Sequence, residues 1–544
     1  MSLAGGLLGW PLRREVCGRE ALAAARLSAI HGFLAQMTSR AVAPATPTSL
    51  SRKVATNAAA IAAGRVLLVG TGLVSVAIAT RYLGLEAYGA LTTATAFVGV
   101  LTPLIDIGLS TIGAREIAKR PDETERLLGT IMTLGLALAP IVIVAALGAS
   151  FLIYPGAGND QVREGIALLL LPLLLWAPVN AASSYFLAQQ KAYIAVIASV
   201  VGSLLTLTLL VLTGLMGWGF LGVVAAYLAT GLGYGGTMVA FTLGKVRLRA
   251  TLDTALLSQL LRWSLPVGGV LILSSLHQQL GIILLSVLKP GSQVAFYGLA
   301  FKVVTALLAL PFYVLITLAP EYARLTDNRR RLDEVVQKAF TAMEVSAAPI
   351  LVLFVIFAPE ITQVAGGSEF DGATPVLQIL MPGVAVSFLS ALFGYVLISI
   401  NRQKWTLLST VIAVGVNVIL NVALIPIWGA RGAAVAFTIS EVTALACGIT
   451  LFGRVGTVPK LYRAPQVLAA VGVMACVAAI KLLPFAEGAS SMLVFCVGGA
   501  ASLAAYAACL YAFGAMPQEL HAGLVLPVLR TVKLRLRPLV ASRT

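Results

Sequence analysis

Residues 64–121, GRVLLVGTGLVSVAIATRYLGLEAYGALTTATAFVGVLTPLIDIGLSTIGAREIAKRP, hold two apolar runs joined by one short polar turn around Arg81, Gly84 and Glu86, and they close on the basic residues Arg115, Lys119 and Arg120. Each run has the roughly 20 mostly apolar residues that a membrane helix requires. The same pattern continues outward over the 544 residues, of which 59% are hydrophobic and 11% charged, with a mean hydropathy of +0.94. Soluble domains carry about a quarter charged residues, so a soluble enzyme is excluded. Disorder of the chain as a whole is excluded as well, because its mark is low hydrophobicity. The five cysteines, Cys17, Cys447, Cys476, Cys496 and Cys509, are scattered with no CxxC, which fits neither a disulfide framework nor a zinc site.

Fourteen spans are predicted, at about 57–80, 87–112, 128–154, 165–187, 192–213, 220–243, 264–288, 294–318, 338–358, 375–399, 405–427, 432–453, 465–484 and 491–513. An even count puts both termini on one side. Positive residues stay in short cytoplasmic loops, and with the termini placed there, 31 of the 38 Lys and Arg fall inside. Outside lie Arg81, Arg163, Lys289, Arg431 and Lys481, and only Arg65 and Lys302 fall within spans. The net charge of +16 therefore records topology and calls for no nucleic-acid partner.

The chain repeats itself at an offset of about 210 residues. Trp218-Gly219-x-x-Gly222 returns as Trp428-Gly429-x-x-Gly432, Tyr88-Gly89 as Tyr297-Gly298, and Ala114-Arg115 as Ala323-Arg324. Each copy holds six spans, so the two halves share one orientation and a pseudo-twofold along the membrane normal, as in transporters built from parallel repeats. The expected organisation is all-α: a disordered basic tail over 1–52, a first lobe over 53–250, a second over 251–456, two extra spans over 457–515, and a basic cytoplasmic tail over 516–544. The N-terminal stretch lacks a continuous apolar h-region, so no cleaved signal peptide is expected, and Met37 is a second candidate start.

Ionisable residues inside spans are costly and mark cavities or partners. Arg65 in span one, Lys302 in span eight and His277-Gln278 in span seven are the candidate cationic cavity for an anionic substrate, above all a phosphate or diphosphate, held by charge-assisted hydrogen bonds. Snorkelling of Arg65 and Lys302 to an interface and a neutral core His277 bonded to Gln278 or Gln279 are the structural alternatives. Glu441 in span twelve and Asp106 at the inner end of span two are the candidate ion-coupling acids, with Asp106 alternatively bonding nearby Ser or Thr. Asn417 and Asn421 are expected to hydrogen-bond between helices. No Walker A sequence, catalytic triad or metal-ligand cluster is present, and the outer loops are short, so a carrier without cofactor or metal is expected in place of an enzyme.

The quoted stretch resembles the opening of the polysaccharide transporter (Wzx-type flippase) family: Arg65 in span one, R-x-L-G-x-E-x-[FY]-G over 81–89, and D-x-G-L-S followed by R-E-I-A over 106–118. LIPIWGARGAAVAFTISE, 424–441, resembles the family's I-P-x-x-G-x-x-G-A-A-x-A segment. That family is grouped with lipid II flippases and multidrug and toxin extrusion antiporters in the multidrug/oligosaccharidyl-lipid/polysaccharide exporter superfamily. The resemblance implies a V-shaped, two-lobed carrier in the bacterial inner membrane. It implies alternating access that moves an undecaprenyl-diphosphate-linked oligosaccharide, an O-antigen, capsule or exopolysaccharide unit, to the outer leaflet. It further implies a monomer working among membrane lipids near a polysaccharide polymerase, with Arg65 matching the family's span-one arginine. A lipid II flippase and an ion-coupled multidrug exporter are the alternatives. The first is disfavoured by the sparse arginines of the first lobe, the second by the cationic balance of the intramembrane residues.

Overall fold

The structure, a computed structural model, describes residues 49–326, 328–460, 464–481 and 491–512, and every element in them is helical. From residue 61 onward the described residues form one compact unit; of residues 1–60 only the helical turns from 49 onward are described. The expected basic tails therefore lie outside the described residues, apart from 49–52. The main helices are α1 (Ser49–Asp106), α2 (Leu109–Lys119), α3 (Thr124–Ile153), α4 (Asp160–Leu169), α5 (Trp176–Ala188), α6 (Tyr193–Met216), α7 (Gly219–Thr242) and α8 (Thr254–Leu288). They continue with α9 (Gly291–Arg324), α10 (Arg329–Ile356), α11 (Ala358–Gly366), α12 (Ala373–Ser399), α13 (Gln403–Trp428), α14 (Ala430–Phe452), α15 (Ala464–Lys481) and α16 (Ser491–Ala512).

Twelve helices among the described residues are long and apolar enough to cross a membrane. The first of them, Leu67–Lys119, runs for 53 residues because two predicted spans are joined end to end. Their junction is Gly84, with φ 70° and ψ −174°, a conformation open essentially to glycine alone. The thirteenth predicted span appears as a shorter apolar helix, Leu468–Val477. The 359–374 segment, expected as a loop, folds into α11 and a 3₁₀ turn at Ser368–Phe370.

The repeat is visible in conformation and in docking. Gly219 and Gly429, the paired glycines of the Trp-Gly motif, both have positive φ, 65° and 56°, at the starts of α7 and α14. After α7 the chain lies over the start of α3: Arg247 N–H donates to Glu125 Oε1 (3.4 Å), and Thr133 Oγ1 donates to the Thr251 carbonyl (2.9 Å). After α14 the chain lies likewise over the start of α10, where Thr457 N–H donates to Asp333 Oδ1 (2.9 Å) and Lys460 N–H to Gln337 Oε1 (2.7 Å). Asp253 caps α8 by accepting from Leu256 N–H and also accepts from Arg126 Nε (2.9 Å). The backbone hydrogen bond first and the guanidinium second hold its carboxyl below the usual range, so this tie is intact at neutral pH and loosens only as acid reaches that lowered value.

The two sets of six spans meet along a seam in which backbones touch. A β-carbon on Gly89 would lie 2.2 Å from the Gly291 carbonyl oxygen, one on Gly298 2.4 Å from Thr92 Cγ2, and one on Gly268 2.5 Å from the Ile107 carbonyl oxygen. Ser275 Oγ donates to the Gly99 carbonyl (3.0 Å) and Ser292 N–H to Glu86 Oε1 (3.1 Å). Small residues are what membrane helices use to approach this closely, since lipid gives no hydrophobic drive for association. The cores interlock at the seam: Ala96 joins the aromatic core of the second set around Phe301, Phe393 and Phe437, while Ala295, Leu299 and Phe370 join that of the first. Helices α15 and α16 pack on α10 and α11, with the Tyr506 hydroxyl donating to the Val345 carbonyl (2.9 Å) and Phe495 edge-on to Phe354 and Phe357.

The seam makes a direct prediction. Gly89→Ala forces the two backbones apart and costs about 1–3 kcal/mol, read as a lower thermal midpoint of the purified protein. Gly148→Ala, where a β-carbon meets nothing within 4 Å, leaves that midpoint unchanged or raises it. Equal midpoints for the two variants would contradict the seam.

Candidate functional site

Helix α14 presents Ala433, Ala434, Phe437, Ser440 and Glu441 to its neighbours, and the small residues bring its axis close enough to seat an acid among three other helices. Glu441 is 9% exposed. Its Oε1 meets His277 Nε2 of α8 at 3.1 Å, and its Oε2 accepts from Ser390 Oγ of α12 at 3.1 Å. The Phe437 ring lies 6.0 Å from the imidazole, tilted by 37°. One helix over, Asn417 Nδ2 donates to Ser440 Oγ (3.0 Å), a bond between helices as expected, whereas Asn421 Nδ2 donates within its own helix to Asn417 Oδ1 (2.9 Å). His277 Nδ1 and Asn421 Oδ1 are buried with no partner among the described residues. A carboxyl and an imidazole in hydrogen-bond contact can share one proton.

A second polar group lies in the first set of helices, where α1 breaks. Ile107 takes φ 43° and Gly108 φ 80°, which ends α1 at Asp106 and restarts the chain as α2. A β-branched residue in the left-handed region is an outlier. It is held there by Asp106, whose two carboxylate oxygens accept from Ser110 N–H (3.0 Å) and Ser110 Oγ (2.9 Å), and by Gly268 pressed on the Ile107 carbonyl. Beside the break is a cavity of about 430 Å³, lined among others by Asp106, Trp176, Asn180, Ser183, Lys191 and Tyr234. Tyr234 and Ser183 both line this cavity, and the Tyr234 hydroxyl lies within electrostatic reach of both Asp106 and Arg65.

The structure thus sorts the candidate residues differently from their grouping by charge. His277 joins Glu441, not Gln278 or Gln279, and Gln278, next in sequence, is exposed. Arg65 is exposed on the first arm of α1 and shares the surroundings of Tyr234 with Asp106. Lys302 is exposed on α9, and its ammonium has no partner among the described residues. Ser390 carried no signal, being one hydroxyl in an apolar run. Trp176 and Asn180, a turn apart in span four, were visible as an indole and an amide inside a span but had no stated role.

A family model described as polysaccharide biosynthesis protein matches residues 78–375, from the first arm of α1 through the start of α12. The chain belongs to that family. Among its relatives, a probable low-salt glycan biosynthesis flippase of Haloferax volcanii is 26% identical over 166 residues, 30% of this chain and 35% of the relative, so the match spans about a third of the relative's length. In fold, this polysaccharide biosynthesis protein is similar to a lipid II flippase, MurJ, in an inward closed conformation, with a TM-score of 0.68 at 11% identity over 84% of this chain and 98% of that one. It is also similar to an inward-facing multidrug transporter of the MATE family, with a TM-score of 0.58 at 18% identity over 73% and 97%. The fold is therefore shared with a flippase and a transporter of known structure, and the relative matched in sequence is named a probable flippase.

The buried pair carries a prediction. His277→Ala leaves Glu441 Oε1 without its partner and lowers stability by about 1–3 kcal/mol, measured as the thermal midpoint of the purified protein. His277→Gln, which still donates, recovers most of the loss; equal loss in the two would show that the contact contributes nothing.

Proposed function

We propose that this protein carries a polyprenyl-diphosphate-linked oligosaccharide across a bacterial plasma membrane by alternating access, with both termini in the cytoplasm. The observation that carries the reading is an asymmetry among the charged groups within spans. The cations Arg65 and Lys302 are exposed, whereas Glu441 is covered by His277 and Ser390, and Asp106 is half-buried and engaged by Ser110. The charge offered to a substrate is positive, which suits a diphosphate and disfavours a cationic drug. Membership of a polysaccharide biosynthesis family supports the glycan as cargo. The flippase relative supports movement of a lipid-linked substrate.

In this reading Arg65 and Lys302 hold the diphosphate, with His277 and Gln278 of α8 beside its path, while the polyprenyl chain stays in lipid. The His277–Glu441 pair is the coupling element: a proton taken up there neutralises the acid and weakens the tie between α8 and α14, and Asp106 is the matching acid of the first set. The protein acts as a carrier without chemistry of its own, a monomer that hands its cargo to a polymerase on the far leaflet.

Deleting the gene removes surface polysaccharide and makes lipid-linked units accumulate. Lys302→Ala and Arg65→Ala fail to restore the glycan at normal protein level, since one lost charge-assisted contact costs about 1.5–3 kcal/mol, tenfold or more in affinity. Lys302→Arg restores it. Unaltered surface polysaccharide in the deletion strain would overturn the reading, and a requirement for growth would favour a lipid II flippase. Glu441→Gln assembles normally but loses the response of transport to a proton gradient; a variant that keeps that response would exclude the pair from coupling.

A further inference from the structure

The cavity at the α1 break has no role in holding a diphosphate, and its lining is of another chemistry. Trp176 and Tyr234 both line it, with ring centroids 6.3 Å apart and planes tilted by 31°, so the cavity carries an aromatic pair. Opposite in character is the Asp106 carboxylate, which takes two hydrogen bonds from Ser110 and has capacity for about two more. Asn180 and Trp176 line the cavity, and their Nδ2 and Nε1 donors are buried with no partner among the described residues, Asn180 being 3% exposed. Buried donors left idle are rare and call for an explanation. Apolar faces combined with a carboxylate acceptor and amide and indole donors match a ring that is apolar on its faces and hydroxylated at its edge.

We propose that this cavity is a subsite for a sugar residue of the cargo, the one nearest the diphosphate. The assignment rests on the carrier reading above. Position supports it, because the Tyr234 hydroxyl feels the charges of both Asp106 and Arg65; a diphosphate at Arg65 would place its first sugar near the aromatic pair. Size supports it too: about 430 Å³ is at the low end of small-ligand pockets, roughly 300–1,000 Å³. A cationic occupant is opposed by Arg65 and by Lys191, which lies at the cavity with its ammonium on Gln189 Oε1 (2.7 Å). Leu271 of α8 also lines the cavity, so a seated sugar touches both sides of the seam.

The test uses the full chain with its five native cysteines replaced by serine and one cysteine introduced by Leu187→Cys. Leu187 lines the cavity, is 46% exposed and makes none of the proposed polar contacts. A membrane-permeant maleimide is applied to cells that make the lipid-linked glycan and to cells blocked at the first sugar-phosphate transfer to polyprenyl phosphate. Labelling is expected to be about threefold or more slower in the glycan-making cells, the protection reached once ligand exceeds about twice its dissociation constant. Adding Trp176→Ala or, separately, Asn180→Ala removes that protection. Equal labelling in the two strains, from a chain that still restores surface polysaccharide, overturns the subsite and leaves the carrier reading standing. Protection that survives both substitutions, or that ethidium gives in the blocked cells, overturns it as well.

Discussion

The arrangement depends on backbone meeting backbone between the two sets of spans. In lipid, helices are not driven together by burial of apolar surface, and only close packing and hydrogen bonds hold them. The second arm of α1 lies against α8 and the start of α9 because Gly89, Gly268, Gly291 and Gly298 have no side chain to keep them apart. From that contact follows the position of α8, and α8 carries both His277 of the buried pair and Leu271 of the cavity. The seam is closed at both ends by contacts of small residues and by neutral or singly charged hydrogen bonds. Contacts of this kind are short-ranged and can be exchanged for others, which is what alternating access asks of them.

A second consequence concerns charge. The bilayer penalises every ionised group that lacks a partner or water, and the protein meets this in two ways. Its intramembrane acids are engaged, Glu441 by an imidazole and a hydroxyl and Asp106 by a serine at a helix break, whereas its intramembrane cations are exposed. Engaged acids suit groups that change protonation within the protein, and exposed cations suit groups that meet a substrate. The strained Ile107 sits where these two functions adjoin, between the acid of the cavity and the glycine of the seam.

How much of this was legible in sequence follows from the physics that wrote each feature. The spans were legible because bilayer thickness sets a length for every apolar run, and Gly84 was legible as a turn because no other residue takes its conformation easily. The repeat was legible at Trp218-Gly219 and Trp428-Gly429, where both glycines take a positive φ. Pairing within the site was not, because it depends on helix rotation. His277 and Gln278 are adjacent in sequence, yet successive helical side chains point about 100° apart, and one faces Glu441 while the other is exposed. Nor did sequence show the left-handed Ile107, since β-branched residues avoid that region and only the contacts around the break hold it there.

The central claim is that the protein moves a glycan-bearing lipid between leaflets. It is tested most directly by reconstituting the purified protein into vesicles that contain a polyprenyl-diphosphate-linked oligosaccharide, and following with a membrane-impermeant lectin how much glycan becomes accessible from outside. The account predicts that the accessible fraction rises faster and further than in protein-free vesicles, and that vesicles bearing the Lys302→Ala protein behave like protein-free ones. Accessibility that is the same with and without the protein would contradict it.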